Sequence, residues 1–185
     1  MPEGTRQKER AKKMSDLPFI EISVEDQILR LTERDGITEY PISTALNGIG
    51  EQEGSGCTPR GWHRICAVIG RDQPINAVFR GRRPTGEIYS SALAAEHPER
   101  DWILSRILWL QGLESGLNRF GNVDSQRRFI YIHGTPDTEP MGNPLSHGCV
   151  RMRNRDVIDL AERIQAGIRV WIQAASFQRI SCINL

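Results

Sequence analysis

A chain of 185 residues with 24 Lys plus Arg against 23 Asp plus Glu carries a formal net charge of +1, so it has no basic surplus to attract nucleic acid. The length suits one domain with a sizeable core, and no apolar run approaches the roughly 20 residues that cross a bilayer as a helix.

In chain order, Pro2 to Lys13 holds Arg6, Lys8, Arg10, Lys12 and Lys13 with almost no apolar content. Such a segment cannot bury enough surface to order itself, so residues 1–14 read as a mobile basic tail and 15–185 as one domain. The tail also lacks the apolar centre of a secretory signal, so either the chain is cytoplasmic or its export information is absent from this sequence. Strands follow at Phe19–Val24, Gln27–Thr32 and Ile37–Ser43, with Asp35-Gly36 as the hairpin signal between the last two. The stretch from Asn47 to Gly61 is rich in Gly, Ser and Pro and reads as a loop. Further strands are expected at Ile65–Ile69, Ala77–Phe79, Ser105–Leu110 and Phe129–His133. Trp102–Leu113 fits both a strand and a helical stripe of Ile103, Ile107 and Leu110. A clear helix begins near Asn154, a capping residue, with Asp156 in the first turn and Val157, Leu160, Ala161 and Ile164 at helical spacing before Gly167. Ile168–Ile172 returns as a final strand.

The chemistry concentrates in Ser146-His147-Gly148-Cys149-Val150-Arg151 and in the upstream Ile132-His133-Gly134-Thr135. A thiol beside two imidazoles can ionise near neutral pH, which makes Cys149 a candidate nucleophile. Gly148 removes a side chain just before the sulfur, so the backbone N–H groups of Gly148 and Cys149 can turn towards a developing oxyanion. Arg151 has the fork geometry to hold a substrate carboxylate, or else serves a structural ion pair. Strand alternation puts Phe129, Tyr131 and His133 on one face, so a rigid strand delivers the imidazole. His147 either touches substrate or shapes the loop. His63 and His97 carry no motif, and Trp62, Trp102, Trp109 and Trp171 read as core or cleft walls. Of the other cysteines, Cys66 reads as a buried small apolar residue, while spacing leaves Cys57 and Cys182 open between free thiols and a disulfide.

The run from Ile132 to Met152, including Gly142-Asn143-Pro144, resembles the L,D-transpeptidase (YkuD) catalytic domain of bacterial cell-wall enzymes. Tyr40–Thr44 and the Thr58-Pro59-Arg60-Gly61 turn look like that family's early strand and turn, so the resemblance extends over Pro18 to Ile172. It implies a mostly β fold, an L,D-transpeptidase-like β-sandwich of mixed sheets with a helix after the cysteine loop, and it favours a strand at Trp102–Leu113. It further implies Cys149 as nucleophile, His133 as base, the Gly134 carbonyl as the acceptor that fixes its tautomer, and Ser146, His147, Arg151 and Tyr131 around the substrate. No cofactor or metal is required. The implied substrates are peptidoglycan tetrapeptide stems, passed through a thioester to an amine in cross-linking or remodelling of the wall, with carbapenems as acylating inhibitors. The family's setting is the cell envelope or periplasm, against the cytoplasmic reading of the tail. An L,D-carboxypeptidase with water as acceptor, trimming soluble wall peptides, is the alternative. A zinc site built on His133, His147 and Cys149 lacks a fourth ligand at a suitable spacing.

Overall fold

The computed structural model describes residues 18–177, so the basic tail and Cys182 lie outside the described residues. The chain opens with a meander of β1 (Phe19–Ser23), β2 (Ile28–Glu33) and β3 (Gly36–Ser43). Ile20, Ile22, Leu29 and Leu31 are fully buried on one face of it, as their alternation predicts. Glu33 pairs with Gly36, so the two turn residues are Arg34 and Asp35, one position earlier than the Asp-Gly signal suggests.

After the 44–60 loop come β4 (Gly61–Ile69), β5 (Ala77–Arg80), β6 (Arg83–Ile88), a short helix α1 (Ser91–Glu96) and β7 (Ile103–Gly112). Gly121–Val123 form one 3₁₀ turn; β8 (Tyr131–Thr135), β9 (Val150–Arg153), α2 (Asn154–Arg163) and β10 (Arg169–Gln173) complete the order. Strands hydrogen-bond in the sequence β4-β10-β1-β2-β3-β9-β8-β7, and β7 pairs back to β4. Eight strands therefore form a closed circuit, and the layers of the expected sandwich belong to one continuous sheet from which the β5–β6 hairpin branches. The sheet is mixed: β1 with β10 and β8 with β9 run parallel, the other pairs antiparallel. The β5–β6 hairpin hangs from β7 at Leu104 and Ile103, ahead of the Ile107–Gly112 stretch that β4 uses.

The main core joins Ile20, Leu31, Ile42, Leu108, Ile132 and Met152 of the strands to Val157, Leu160 and Ala161 of α2. Helix α2 is tied to the β2–β3 hairpin at its far side, where Tyr40 donates its hydroxyl to Asp159 (2.5 Å) and Arg163 reaches Thr38 and Glu33. β7 is a strand, as the resemblance favours, and its helix-like spacing has a physical origin. It is buried on both faces along Leu104–Leu108, so polar residues do not mark an outer side.

Several local expectations need correction. Phe129 precedes β8 rather than belonging to it: its φ is 57° and it is about half exposed, so only Tyr131 and His133 share the strand face. Asn154 does not cap α2. It is the first helical residue, Arg153 occupies the cap position without a side-chain bond, and the Asn154 amide is buried among other partners. Cys66 is only half-buried, because the β4–β7 register shifts between Ile65 and Ala67 and leaves it at a bulge. β6 and α1 leave no readable period: the first has only half-buried or exposed residues and the second, six residues long, has none buried.

Candidate active site

The parallel ladder of β8 and β9 sets Ile132 opposite Val150 and His133 opposite Arg151. Ile132 and Val150 enter the main core. Alternation then places Tyr131, His133 and Arg151 on the opposite face, with Cys149 just ahead of β9 on that same side. There the Tyr131 N–H donates to the Cys149 sulfur at 3.4 Å, and the thiol points to the Phe129 carbonyl at 3.5 Å. Cys149 packs with Ala77, Phe79, Ile107 and Tyr131 in a small apolar cluster apart from the main core.

This packing changes the electrostatics expected of the thiol. Burial pushes Cys149 up to about 11, and Asp101 adds to the rise, while the Tyr131 N–H, Arg151 and Arg128 oppose it. Packing of the half-buried sulfur therefore biases it towards the neutral thiol, against the ionisation expected beside two imidazoles. Burial likewise holds His133 below the ordinary histidine range, against the opposing pull of the Gly134 carbonyl. Burial thus disfavours charge on thiol and imidazole alike.

His133 is fixed from behind. Its Nδ1 lies 2.8 Å from the Gly134 carbonyl oxygen; donation there leaves Nε2 with its lone pair. Gly134 has no room for a side chain, since a Cβ would come within 2.5 Å of Asn154 Oδ1 and 2.6 Å of the Leu104 carbonyl. Asn154 donates to the Thr135 carbonyl (2.8 Å) and accepts from Ser105 Oγ (2.6 Å). Ser105 sits at a bulge in β7 with φ 64°. Three elements thus lock the backbone that carries the imidazole.

The cysteine loop is held just as closely. Ser146 is buried, its hydroxyl donating to the Cys149 carbonyl (2.5 Å) and accepting from the Gly148 N–H (3.3 Å). Of the two expected oxyanion donors, the Gly148 N–H thus turns into the loop. Thr58 Oγ1 donates to the Gly148 carbonyl at 3.0 Å, tying this loop to the 47–61 loop. Gly148 has φ 130°, and a Cβ there would crowd the Cys57 carbonyl at 3.3 Å.

Around the sulfur, Arg151 is buried and paired to Asp101 (3.0 Å) and Glu139 (3.7 Å), so its guanidinium already faces carboxylates. His147 is exposed, with Nδ1 3.8 Å from Asp101. A cavity of about 300 Å³ lies by Asp101, Thr135, Glu139 and Arg151, and another of about 330 Å³ by Gly54, Arg127, Arg128 and Phe129. His147 lines both. Tyr131 accepts a bond from Arg82 (3.0 Å) at the tip of the β5–β6 hairpin, and Arg82 also stacks over Trp109 and Phe129. Asp101, Arg82 and Arg128 belong to no motif; Asn154 was visible only as a helix start.

The model of the L,D-transpeptidase (YkuD) catalytic domain matches residues 18–172. Among curated relatives, YkuD of Bacillus licheniformis is 49% identical over 41 residues, covering 22% of this chain and 25% of its own length. YbiS of Escherichia coli K12 is 29% identical over 110 residues, covering 55% of this chain and 33% of its own. Both bear L,D-transpeptidase names, and the chain spans a third or less of either. Among solved structures, L,D-transpeptidase 3 of Mycobacterium tuberculosis with a faropenem-derived adduct aligns with a TM-score of 0.52 at 14% identity, over 84% of this chain and 60% of that one. Bdellovibrio bacteriovorus Bd1075 aligns at 0.52 and 18%, over 88% and 49%. At such identities the solved structures establish the shared fold, and the family match over most of the described residues shows that this chain belongs to the L,D-transpeptidase catalytic domain family.

Proposed function

We propose that this chain is a cysteine-dependent acyltransferase acting on peptidoglycan tetrapeptide stems in the cell envelope. The observation that supports the reading is the parallel β8–β9 ladder, which sets His133 opposite Arg151 with Cys149 two residues earlier on that face, and the Gly134 carbonyl beside His133 Nδ1. His133 Nε2 takes the thiol proton as the sulfur attacks the carbonyl that follows the L-centre of the stem's third residue. The tetrahedral intermediate collapses to a thioester, and the same proton passes to the departing amine of the terminal D-amino acid. An acceptor amine then attacks the thioester and gives a proton to His133; as the C–S bond breaks and the new amide forms, the departing sulfur takes that proton back and the Cys149 thiol is restored.

Because burial disfavours charge on both groups, the proton moves from sulfur to His133 as attack proceeds. The Cys149 N–H supplies an oxyanion donor, while Ser146 keeps the loop's shape. His147 borders both cavities, so it stands where substrate in either one would pass. Arg151, held by Asp101, binds a stem carboxylate only by exchanging one anionic partner for another. Incubation with a purified disaccharide tetrapeptide should release the terminal D-amino acid and yield cross-linked product by mass spectrometry. No D-amino acid released by native protein would sink the reading, and a tripeptide as sole product would convert it to hydrolysis. A carbapenem should add its mass at Cys149.

A further inference from the structure

Arg128 lies just before the positive-φ residue Phe129, at the end of a loop that Asp124 stiffens. The Arg128 N–H donates to the Asp124 carbonyl (2.9 Å), and Asp124's carboxylate accepts from the Arg127 N–H (3.0 Å) and the Phe120 N–H (2.7 Å). The guanidinium itself is half-buried and donates to four groups of a single segment: the carbonyls of Gly50 (3.2 Å), Glu51 (2.7 Å) and Cys57 (2.7 Å) and the Ser55 hydroxyl (3.4 Å). None of these acceptors is anionic, and Arg128 forms no direct ion pair among the described residues; the Glu51 and Glu53 carboxylates act on it only at longer range. A cation drawn out of water is ordinarily matched by an anion, because neutral carbonyls repay only part of its lost hydration.

The segment it gathers presses on the cysteine loop. The Cys57 carbonyl packs against Gly148, and the next residue, Thr58, holds the Gly148 carbonyl. On the other side, the carbonyl of Phe129 is the one that faces the Cys149 sulfur. The charge of Arg128 also reaches that sulfur and favours its ionised form.

We propose that Arg128 is a positioning residue of the cysteine site: its fork straps the 50–57 segment onto the Gly148–Cys149 backbone, and its cation, which no carboxylate pairs directly, favours negative charge on the Cys149 sulfur. The inference rests on Cys149 being the nucleophile. A planar fork suits several carbonyls converging from one loop; a lysine ammonium at the same place keeps the charge and loses the strap. The other groups acting on the sulfur are the Tyr131 N–H from β8, the Phe129 carbonyl before it, Arg151 from β9 and Asp101 ahead of β7; His133 sits opposite Arg151 on β8, and His147 in the cysteine loop lies beside Asp101.

The test reads the thiol without any peptide substrate. The wild-type chain, Arg128→Gln and Arg128→Lys are alkylated with iodoacetamide between pH 7 and 10, and the rate is mapped to Cys149 by peptide mass spectrometry. Arg128→Gln should slow Cys149 about threefold to tenfold at each pH, as removal of a nearby cation reduces the thiolate fraction while the remaining thiolate gains nucleophilicity. Arg128→Lys should restore most of the rate, and Cys66, at the β4 bulge, should keep its rate throughout. Amide exchange at Cys57, Thr58 and Gly148 should be faster in Arg128→Lys. A wild-type rate in Arg128→Gln, or equal slowing in the Gln and Lys variants, would overturn the charge role. If Arg128→Gln does not fold, unchanged exchange protection in Arg128→Lys overturns the proposal. A Cys149→Ser protein that still turns over tetrapeptide would instead defeat the acyl-transfer reading and leave the alkylation result standing.

Discussion

Burial opposes charge on both Cys149 and His133. The base must be unprotonated to act, and its proton affinity is depressed, so kcat/KM should hold as the pH falls through 6.5, the ordinary imidazole value. It should decline only below that. An acid limb centred above pH 6.5 would contradict a desolvated His133. Replacing His133 by Ala should slow acylation by roughly 10²–10⁴-fold, the usual worth of positioned proton transfer. Cys149→Ser should abolish turnover, whereas Cys57→Ser and Cys66→Ser should retain most of it; stopped-flow acylation and adduct mapping distinguish these outcomes.

Among the elements, the contact of β7, β8 and α2 decides whether the imidazole is held. Gly134→Ala would force a Cβ against the Leu104 carbonyl and the Asn154 amide, neither of which can retreat without moving the β7 bulge or the helix start. Overpacking of that kind costs about 1–3 kcal/mol. Asn154→Ala, which removes partners from the Thr135 carbonyl and Ser105 hydroxyl, should also cost about 1–3 kcal/mol. Urea denaturation measures both. If either variant kept wild-type stability, the three-element clamp behind His133 would lose its support.

For the whole molecule, the closed circuit of strands buries a second histidine far from the cysteine loop in sequence. His63 on β4 is fully buried, with Nδ1 3.0 Å from the Gly61 carbonyl and Nε2 2.9 Å from Ser125 Oγ. Burial pushes it down to about 4. In the unfolded chain the same ring takes up its proton near 6.5, so between those two pH values the unfolded state binds more protons and gains stability relative to the fold. Stability should therefore fall as the pH drops from 6.5 towards 4, by roughly 3 kcal/mol from this group, with His133 adding in the same direction. Equilibrium denaturation at stepped pH checks the sign. A flat profile over this window would mean that His63 is not held neutral.

Local sequence was enough for the strands whose apolar residues alternate, the helix after the cysteine loop, and the pair of motifs around His133 and Cys149. These were legible because period-2 and helical spacing are local, and because a thiol flanked by Gly and His in that order carries its chemistry in a few neighbouring residues. Contacts between distant chain segments could be read only from the folded chain. Asp101 meets Arg151 and His147 across 46 or more positions of chain, and Arg128 reaches back to Gly50 and Cys57. Asn154 offers a capping side chain to local reading, yet the β7 bulge and β8 claim it. The protonation state of Cys149 belongs to the same class: composition places imidazoles nearby, but desolvation by Phe79, Ile107 and Tyr131 sets the energy of the charge, and burial exists only once the sheet has closed.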